Sequence, residues 1–125
     1  MIHKFKFQIA FADTDAGGIV YHARHIEICE RARMDMITGW DLTPGAGFIV
    51  RGLSAEYKKP MRLGEIVEVS TEFIEVGAAS CKAQQTLSVG GEIRSVVTID
   101  VVYVNKDLKP SRIPETLIEF MKGKK

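Results

Sequence analysis

Hydrophobic and polar positions alternate at the start of the chain. Phe5, Phe7, Ile9 and Phe11 fall on one side, and the residues between them, polar except for one alanine, fall on the other. A period of two is typical of a β-strand with one buried face. The segment ADTDAGG follows, and its Asp and Gly residues predict a tight turn.

From His22 to about Trp40 the hydrophobic period changes to three and four residues. The apolar side of this pattern contains Ile26, Cys29, Ala32, Met36 and Trp40, and the opposite charged side contains Glu27, Arg31 and Asp35. This spacing predicts an amphipathic helix of four or five turns. The Gly- and Pro-containing segment TGWDLTPGAG is expected to end it.

The remaining pattern predicts four more strands and a short helix that begins near Pro114. Gly90-Gly91 predicts a hairpin between the last two strands. One long helix among five strands predicts an α+β fold, in which an antiparallel sheet wraps around a central helix. The last two strands are long and rich in Val and Ile, and we expect their exposed edge to pair with a second copy.

Composition narrows the function classes. The 125 residues fit a single domain, residues 1–125, and a net charge of +1 gives no field that would attract nucleic acid. The alternating N-terminus is unlike a signal peptide, and no segment has the length of an integral membrane helix. Cys29 and Cys81 lie in a helix pattern and a strand pattern, so we expect both to be core residues. These features predict a cytoplasmic enzyme or binding protein.

The turn before the long helix is the candidate chemical site. Asp15 lies in this turn, seven residues before His22. In the structural interpretation, aspartates cap a turn that Gly17 and Gly18 allow to bend. In the catalytic interpretation, the unpaired amides of the helix start polarise a substrate carbonyl, and a nearby carboxylate attacks it or activates water. The residue pattern alone leaves both interpretations open.

Other chemistries fit the sequence less well. His22 and His25 are three residues apart and Asp13 and Asp15 two apart, and neither pair belongs to a recognised metal-ligand set. The chain has no Gly-x-Ser-x-Gly elbow and no phosphate-binding glycine loop with its lysine. We therefore expect neither a metal nor a redox cofactor.

Three segments resemble a known family. DTDAGGIVYHARHIEICERAR, SAEYKKPMRLGE and KPSRIP are similar to segments of hot-dog-fold acyl-CoA thioesterases of the 4-hydroxybenzoyl-CoA thioesterase type, especially the small branch associated with bacterial Tol-Pal genes. The resemblance covers nearly the whole chain in order. It implies the architecture predicted above, assembled as a homodimer or homotetramer.

The resemblance also assigns roles to residues. It implies that Asp15 is the catalytic carboxylate, as nucleophile or as general base, and that the backbone N–H of His22 polarises the thioester carbonyl. The His22 side chain would orient Asp15 or water, or assist departure of the thiolate. Gly17 and Tyr21 are assigned to substrate binding, and Asp13 to holding the turn.

Further substrate contacts follow from the same resemblance. Lys109, in LKPSRIP, and Lys59 are the candidates for contacting the CoA phosphates, with Lys58 and Arg62 as further candidates. Phe48 and Val50 are expected to wall the acyl pocket. Met34, Met36 and Trp40 are expected in the core instead.

Together these expectations describe an acyl-CoA thioesterase that releases a free acid and CoA. One alternative is a thioesterase acting on acyl carrier protein, because the same pantetheine arm would enter the same site. A second alternative is a non-catalytic acyl-thioester-binding protein of the same fold. A carboxylate beside the thioester favours catalysis over binding alone.

Overall fold

The structure is a computed structural model that describes residues 2–40, 42 and 44–123. These residues form five strands and two α-helices. In chain order the elements are β1 (Ile2–Gln8), α1 (His22–Ile37), β2 (Gly47–Tyr57), β3 (Ile66–Val76), β4 (Ser80–Val89), β5 (Glu92–Val104) and α2 (Glu115–Met121). The strands form one sheet in the order β1-β3-β4-β5-β2, and every neighbouring pair is antiparallel. The predicted α+β class, with one long helix on a five-stranded sheet, is confirmed.

The hairpin predicted at Gly90-Gly91 joins β4 to β5. Both glycines have positive φ, 57° and 84° respectively, which residues with a Cβ adopt only with strain. Val89 pairs with Glu92 directly beside the turn. Two adjacent residues in this conformation let long strands fold back on each other.

The core lies between α1 and the inner face of the sheet. Alternate residues of the three central strands point into it, among them Val67, Val69, Ala83, Leu87, Val97 and Ile99, all at most 1% exposed. Cys29 and Cys81 are both buried there, as predicted. Burial raises the pKa of the Cys29 thiol to about 12, so it remains protonated at neutral pH.

Two predicted boundaries were wrong. Phe11 does not continue the first strand, because β1 ends at Gln8 and Phe11 opens a 3₁₀ turn in which it is 80% exposed. The long helix ends at Ile37 and not at Trp40. Thr38 caps it by donating from its hydroxyl and its N–H to Met34 O, and Gly39 then turns the chain away with a φ of 90°.

The predicted position of the free sheet edge was also wrong. β4 and β5 are interior strands, and the edges are β1 and β2. A register shift between Val50 and Gly52 keeps Val50 on the inner face, opposite Val101, while Leu53 lies on the same face opposite Ile99. Helix α1 lies mainly over β1 and β3. The inner face of β2 therefore remains largely uncovered.

Within the described ranges, neither helix is both long enough and apolar enough to cross a bilayer.

Candidate functional site

Asp13 holds the turn before α1 to the start of that helix. It is 7% exposed, and its Oδ2 accepts the Ala10 N–H at 2.8 Å while Oδ1 lies 3.5 Å from Arg24 Nε. Its backbone oxygen accepts the Tyr21 N–H at 3.1 Å, and Arg24 Nη2 donates to Ala12 O at 2.7 Å. These bonds support the structural role expected for Asp13.

Asp15 lies in the exposed part of the same turn. Its Oδ1 accepts the Gly17 N–H at 2.8 Å, and its backbone N–H and oxygen bond to Ile19 and Gly18. A Cβ on Gly17 would lie 3.2 Å from Oδ1, so a larger residue there would crowd the carboxylate. Asp15 Oδ2 makes no hydrogen bond with any described residue. The turn thus fixes one carboxylate oxygen and leaves the other exposed.

The turn is also anchored to the segment that follows β2. Val20 N–H donates to Met61 O at 2.8 Å, and Ile19 forms an isolated β-bridge with Arg62. Arg94 in turn pairs with Glu65 at 3.0 Å and donates to Pro60 O at 2.6 Å. These contacts hold the Asp15 turn from a second direction.

His22 is the first residue of α1, directly after the turn. Tyr21 precedes the helix without a side-chain cap, and no hydrogen bond joins the His22 N–H to another described residue. Such amides carry the positive end of the helix dipole. The exposed His22 ring contacts the Tyr21 ring at 4.5 Å between centroids, with the two planes tilted by 46°. No hydrogen bond joins that ring to the Asp15 carboxylate, although both residues are described.

Tyr57, at the end of β2, reaches the first turn of α1. Its hydroxyl donates to His22 O at 2.7 Å. Its ring meets His25 edge to face at 4.9 Å between centroids. The strand at the edge of the sheet therefore helps to fix the helix start. Sequence reasoning did not identify this residue, because nothing local in SAEY indicates which helix end the strand reaches.

His25 is buried beneath the candidate site. It is 3% exposed and shares a 2.7 Å hydrogen bond between Nδ1 and the fully buried Ser95 Oγ. Burial, and secondarily the nearby His22, lower the pKa of His25 to about 4. The ring is therefore neutral at physiological pH.

The buried His25 makes folding sensitive to acid. Because its pKa is about 4 in the folded protein and about 6.5 when unfolded, the unfolded chain binds the extra proton as the pH falls. Its stabilising contribution is complete above about pH 6.5. We expect the contribution of His25 to the free energy of unfolding to fall by about 2 kcal/mol between pH 7.5 and pH 5.

Urea unfolding at both pH values, in wild type and His25→Gln, measures this term. The variant should lack about 2 kcal/mol of the pH-dependent loss, while His22→Gln should keep most of it. Equal pH dependence in wild type and His25→Gln would refute the assignment.

An apolar groove lies beside the C-terminal half of α1. It encloses about 330 Å³ and is lined by Glu30, Arg33, Met34, Met36, Ile37, Trp40, Phe48, Val50, Phe73, Cys81, Ala83, Ile99, Val101 and Met121. Phe48 and Val50 thus face a pocket. Met36 is buried and Trp40 packs against the core, as expected, but both also line the groove. The expectation was wrong for Met34, which is 64% exposed.

Within one protomer the β2 side of this groove, at Phe48, is distant from Asp15. Phe48 and Tyr57 are nine residues apart on β2, or roughly 30 Å at 3.3 Å per residue, and Tyr57 is the residue beside His22. The structure brings Asp15, Gly17, Tyr21 and His22 together. It does not bring Phe48 and Val50 to them in the same chain.

The predicted phosphate-binding lysines are separated as well. Lys59 forms a 2.8 Å ion pair with Glu92, the first residue of β5. Lys109 is exposed and follows the other end of that strand, where its backbone bonds Asn105. The thirteen residues of β5 span roughly 40 Å. The two lysines of one protomer therefore cannot contact the same small phosphate group.

The described residues contain no group of three or more His, Cys, Asp or Glu side chains placed to hold a metal ion.

Comparisons with known proteins show the family of the chain. A family model described as the thioesterase-like superfamily matches residues 9–121. The acyl-CoA thioesterase YbgC of Haemophilus influenzae is 31% identical over 119 residues, covering 89% of this chain and 88% of that protein. The acyl-CoA thioester hydrolase YbgC of Escherichia coli is 28% identical, covering 97% and 96%. A probable thioesterase from Bartonella henselae has a TM-score of 0.85 at 27% identity, covering 91% and 100%.

Proposed function

The chain belongs to the thioesterase-like superfamily, and from that premise we propose that it hydrolyses acyl-CoA thioesters through the Asp15 carboxylate. The observation that carries the proposal is that one short turn presents both an exposed carboxylate and an unpaired helix-start amide. Asp15 Oδ2 and the His22 N–H are both free of hydrogen bonds to the described residues. One group can attack a carbonyl carbon, and the other can stabilise the charge that develops on its oxygen.

The reaction divides into bond changes that these two groups can support. The carboxylate oxygen bonds to the thioester carbon, the carbon–sulfur bond breaks, and CoA leaves as a thiolate. Water then opens the resulting mixed anhydride to give the free acid and regenerate Asp15. In the alternative route, Asp15 takes a proton from a water molecule that attacks the carbon directly. The leaving thiol has a pKa of about 8.5, so it departs without strong protonation by the enzyme.

We propose that the active unit is at least a homodimer joined through β2. The two sheet edges differ in character: β1 carries Lys4 and Lys6, whereas β2 exposes Ile49, Val50 and Leu53. Lysine on an edge strand discourages pairing, and an apolar edge favours it. A second copy on β2 would cover the part of the inner face that α1 leaves open.

Dimer pairing would also bring the catalytic turn to an apolar groove. Antiparallel pairing of the full β2 strands (Gly47–Tyr57) about a twofold axis at Gly52 sets Phe48 of the partner subunit opposite Glu56. Tyr57, which touches His22, is the next residue. With the thioester carbonyl at the His22 amide, the acyl group would then extend into the groove of the partner subunit. At about 330 Å³, that groove is within the range of small-molecule sites.

The same pairing supports a role for both lysines. Lys59 lies beyond the end of β2 and Lys109 at the opposite end of the sheet, so one of each, from different protomers, could approach the same CoA. Placement in the cytoplasm stays a prediction.

Release of the CoA thiol from a panel of acyl-CoAs tests the proposal. The panel should contain short, long and aromatic acyl groups, and we expect at least one to be turned over with kcat/KM above about 10⁴ M⁻¹s⁻¹. If none is cleaved, the same acyl groups on acyl carrier protein decide between the two thioesterase alternatives. Binding of these thioesters without cleavage in either form would instead support the acyl-thioester-binding alternative.

A further inference from the structure

The groove beside α1 is lined by one cationic side chain and, apart from Glu30 at its rim, by apolar residues. Arg33 lines its wall together with side chains such as Phe48, Phe73 and Val101. The residue is partly buried, and its Nη1 donates to Gln85 Oε1 at 2.8 Å. An arginine that served only solubility would be exposed, as Arg31 on the same helix is.

A buried network fixes the position of this guanidinium. Gln85 is fully buried in β4, and its Nε2 donates to Cys29 O at 2.9 Å and to the Thr71 hydroxyl at 3.0 Å. Both amide hydrogens of Gln85 are thereby occupied, and its Oε1 must face Arg33. Arg33 therefore lies at a defined place on the groove wall.

No carboxylate within the described residues lies within ion-pair distance of Arg33, whereas Arg24, Arg51 and Arg94 each have one. Glu30 is its nearest acidic neighbour in the groove, but it is exposed at the rim. Burial lowers the pKa of Arg33, and the neighbouring Cys29 and Glu30 offset this only in part. A cation in apolar surroundings without a counter-ion is costly, and an anion entering the groove would remove that cost.

We infer that the groove selects acyl groups that carry a carboxylate at the end remote from the thioester, and that Arg33 is the residue that selects them. The inference rests on the proposed function, since it takes the groove as the acyl site. Arginine suits this role because its remaining N–H donors can bind a carboxylate in two-point geometry. The other wall residues would pack against the methylene chain between the two ends.

The groove size indicates the chain length. About 330 Å³ lies at the lower end of the range for small-molecule sites, so the groove suits a short acyl chain. An adipoyl group, with six carbons and three oxygens, is such a chain. The expected substrates are therefore thioesters of short dicarboxylic acids.

Three pairs of CoA thioesters of matched size test the selection: glutaryl and hexanoyl, adipoyl and heptanoyl, suberoyl and nonanoyl. In wild type, kcat/KM for the carboxylate member should exceed that of its apolar partner by at least about tenfold in one pair, since a charge-assisted hydrogen bond contributes about 1.5–3 kcal/mol. Arg33→Met should reverse the preference, mainly through KM for the carboxylate member. Arg33→Lys should restore part of it.

Arg31→Met is the matched control. Arg31 lies on the exposed side of α1, with its guanidinium carbon 6.0 Å from the centre of the Phe7 ring, and its loss should not change the preference. Turnover of heptanoyl-CoA by Arg33→Met shows that this variant is folded. If Arg33→Met does not cleave heptanoyl-CoA either, the carboxylate preference of Arg33→Lys decides the test.

Two results would overturn the selection and leave the proposed function standing. One is a wild-type enzyme that cleaves the apolar member of every pair at least as well. The other is a carboxylate preference that persists in Arg33→Met. If wild type cleaves neither any of the six thioesters nor any member of the broader panel, the proposed function itself fails.

Discussion

Asp15→Asn is expected to lower kcat/KM for the best acyl-CoA substrate by about 10²–10⁴, the range that a catalytic acid or base contributes. The substitution removes the charge and the nucleophilic or basic oxygen but keeps the size of the side chain. Because the Asn side chain retains an oxygen acceptor, the 2.8 Å bond from the Gly17 N–H can persist. The turn should therefore keep its shape while the reaction slows.

Thermal unfolding and substrate binding separate loss of chemistry from loss of structure. The variant should melt within a few degrees of wild type and still bind a non-hydrolysable acyl-CoA analogue. Asp13→Asn is the matched comparison: it removes the buried charge beside Arg24, so it should lower stability more than Asp15→Asn does. Wild-type turnover in Asp15→Asn would exclude this residue as the catalytic group.

Leu53→Lys should separate the protomers and remove most of the activity. Leu53 is 48% exposed on the inner face of β2, next to Gly52, where the proposed twofold axis lies. A dimer would bring two added charges close together in an apolar interface, at a cost of several kcal/mol. Without the partner, the Asp15 turn would lack an acyl groove, and we expect kcat/KM to fall by about 10² or more.

Light scattering during size-exclusion chromatography, at several protein concentrations, measures the assembly alongside the activity. Ile2→Lys places the same charge on the opposite sheet edge, at a residue that is 56% exposed, and should leave both assembly and activity as in wild type. A wild-type protein that is monomeric and fully active would contradict the composite site. A Leu53→Lys protein that remains dimeric and active would do the same.

Much of the architecture could be predicted from residue periodicity. Local sequence patterns predicted the five strands, the helix that begins at His22 and the Gly90-Gly91 hairpin, because each depends on residues close together in the sequence. The resemblance to acyl-CoA thioesterases, carried by short contiguous segments, is confirmed at the level of the family. Asp15 and His22 remain a prediction, and they were identifiable because one short turn contains both.

The sequence by itself determined the elements, the family and the turn that presents Asp15, because hydrogen bonding and side-chain periodicity within a segment act over a few residues. Only the tertiary structure decided which strands form the sheet edges, since strand order depends on pairings between distant segments. The tertiary structure also decided three hydrogen bonds: the Tyr57 hydroxyl to His22 O, Ser95 Oγ with His25 Nδ1, and Arg33 Nη1 to Gln85 Oε1. Each of these hydrogen bonds joins residues at least 35 positions apart, so no local sequence pattern predicts it.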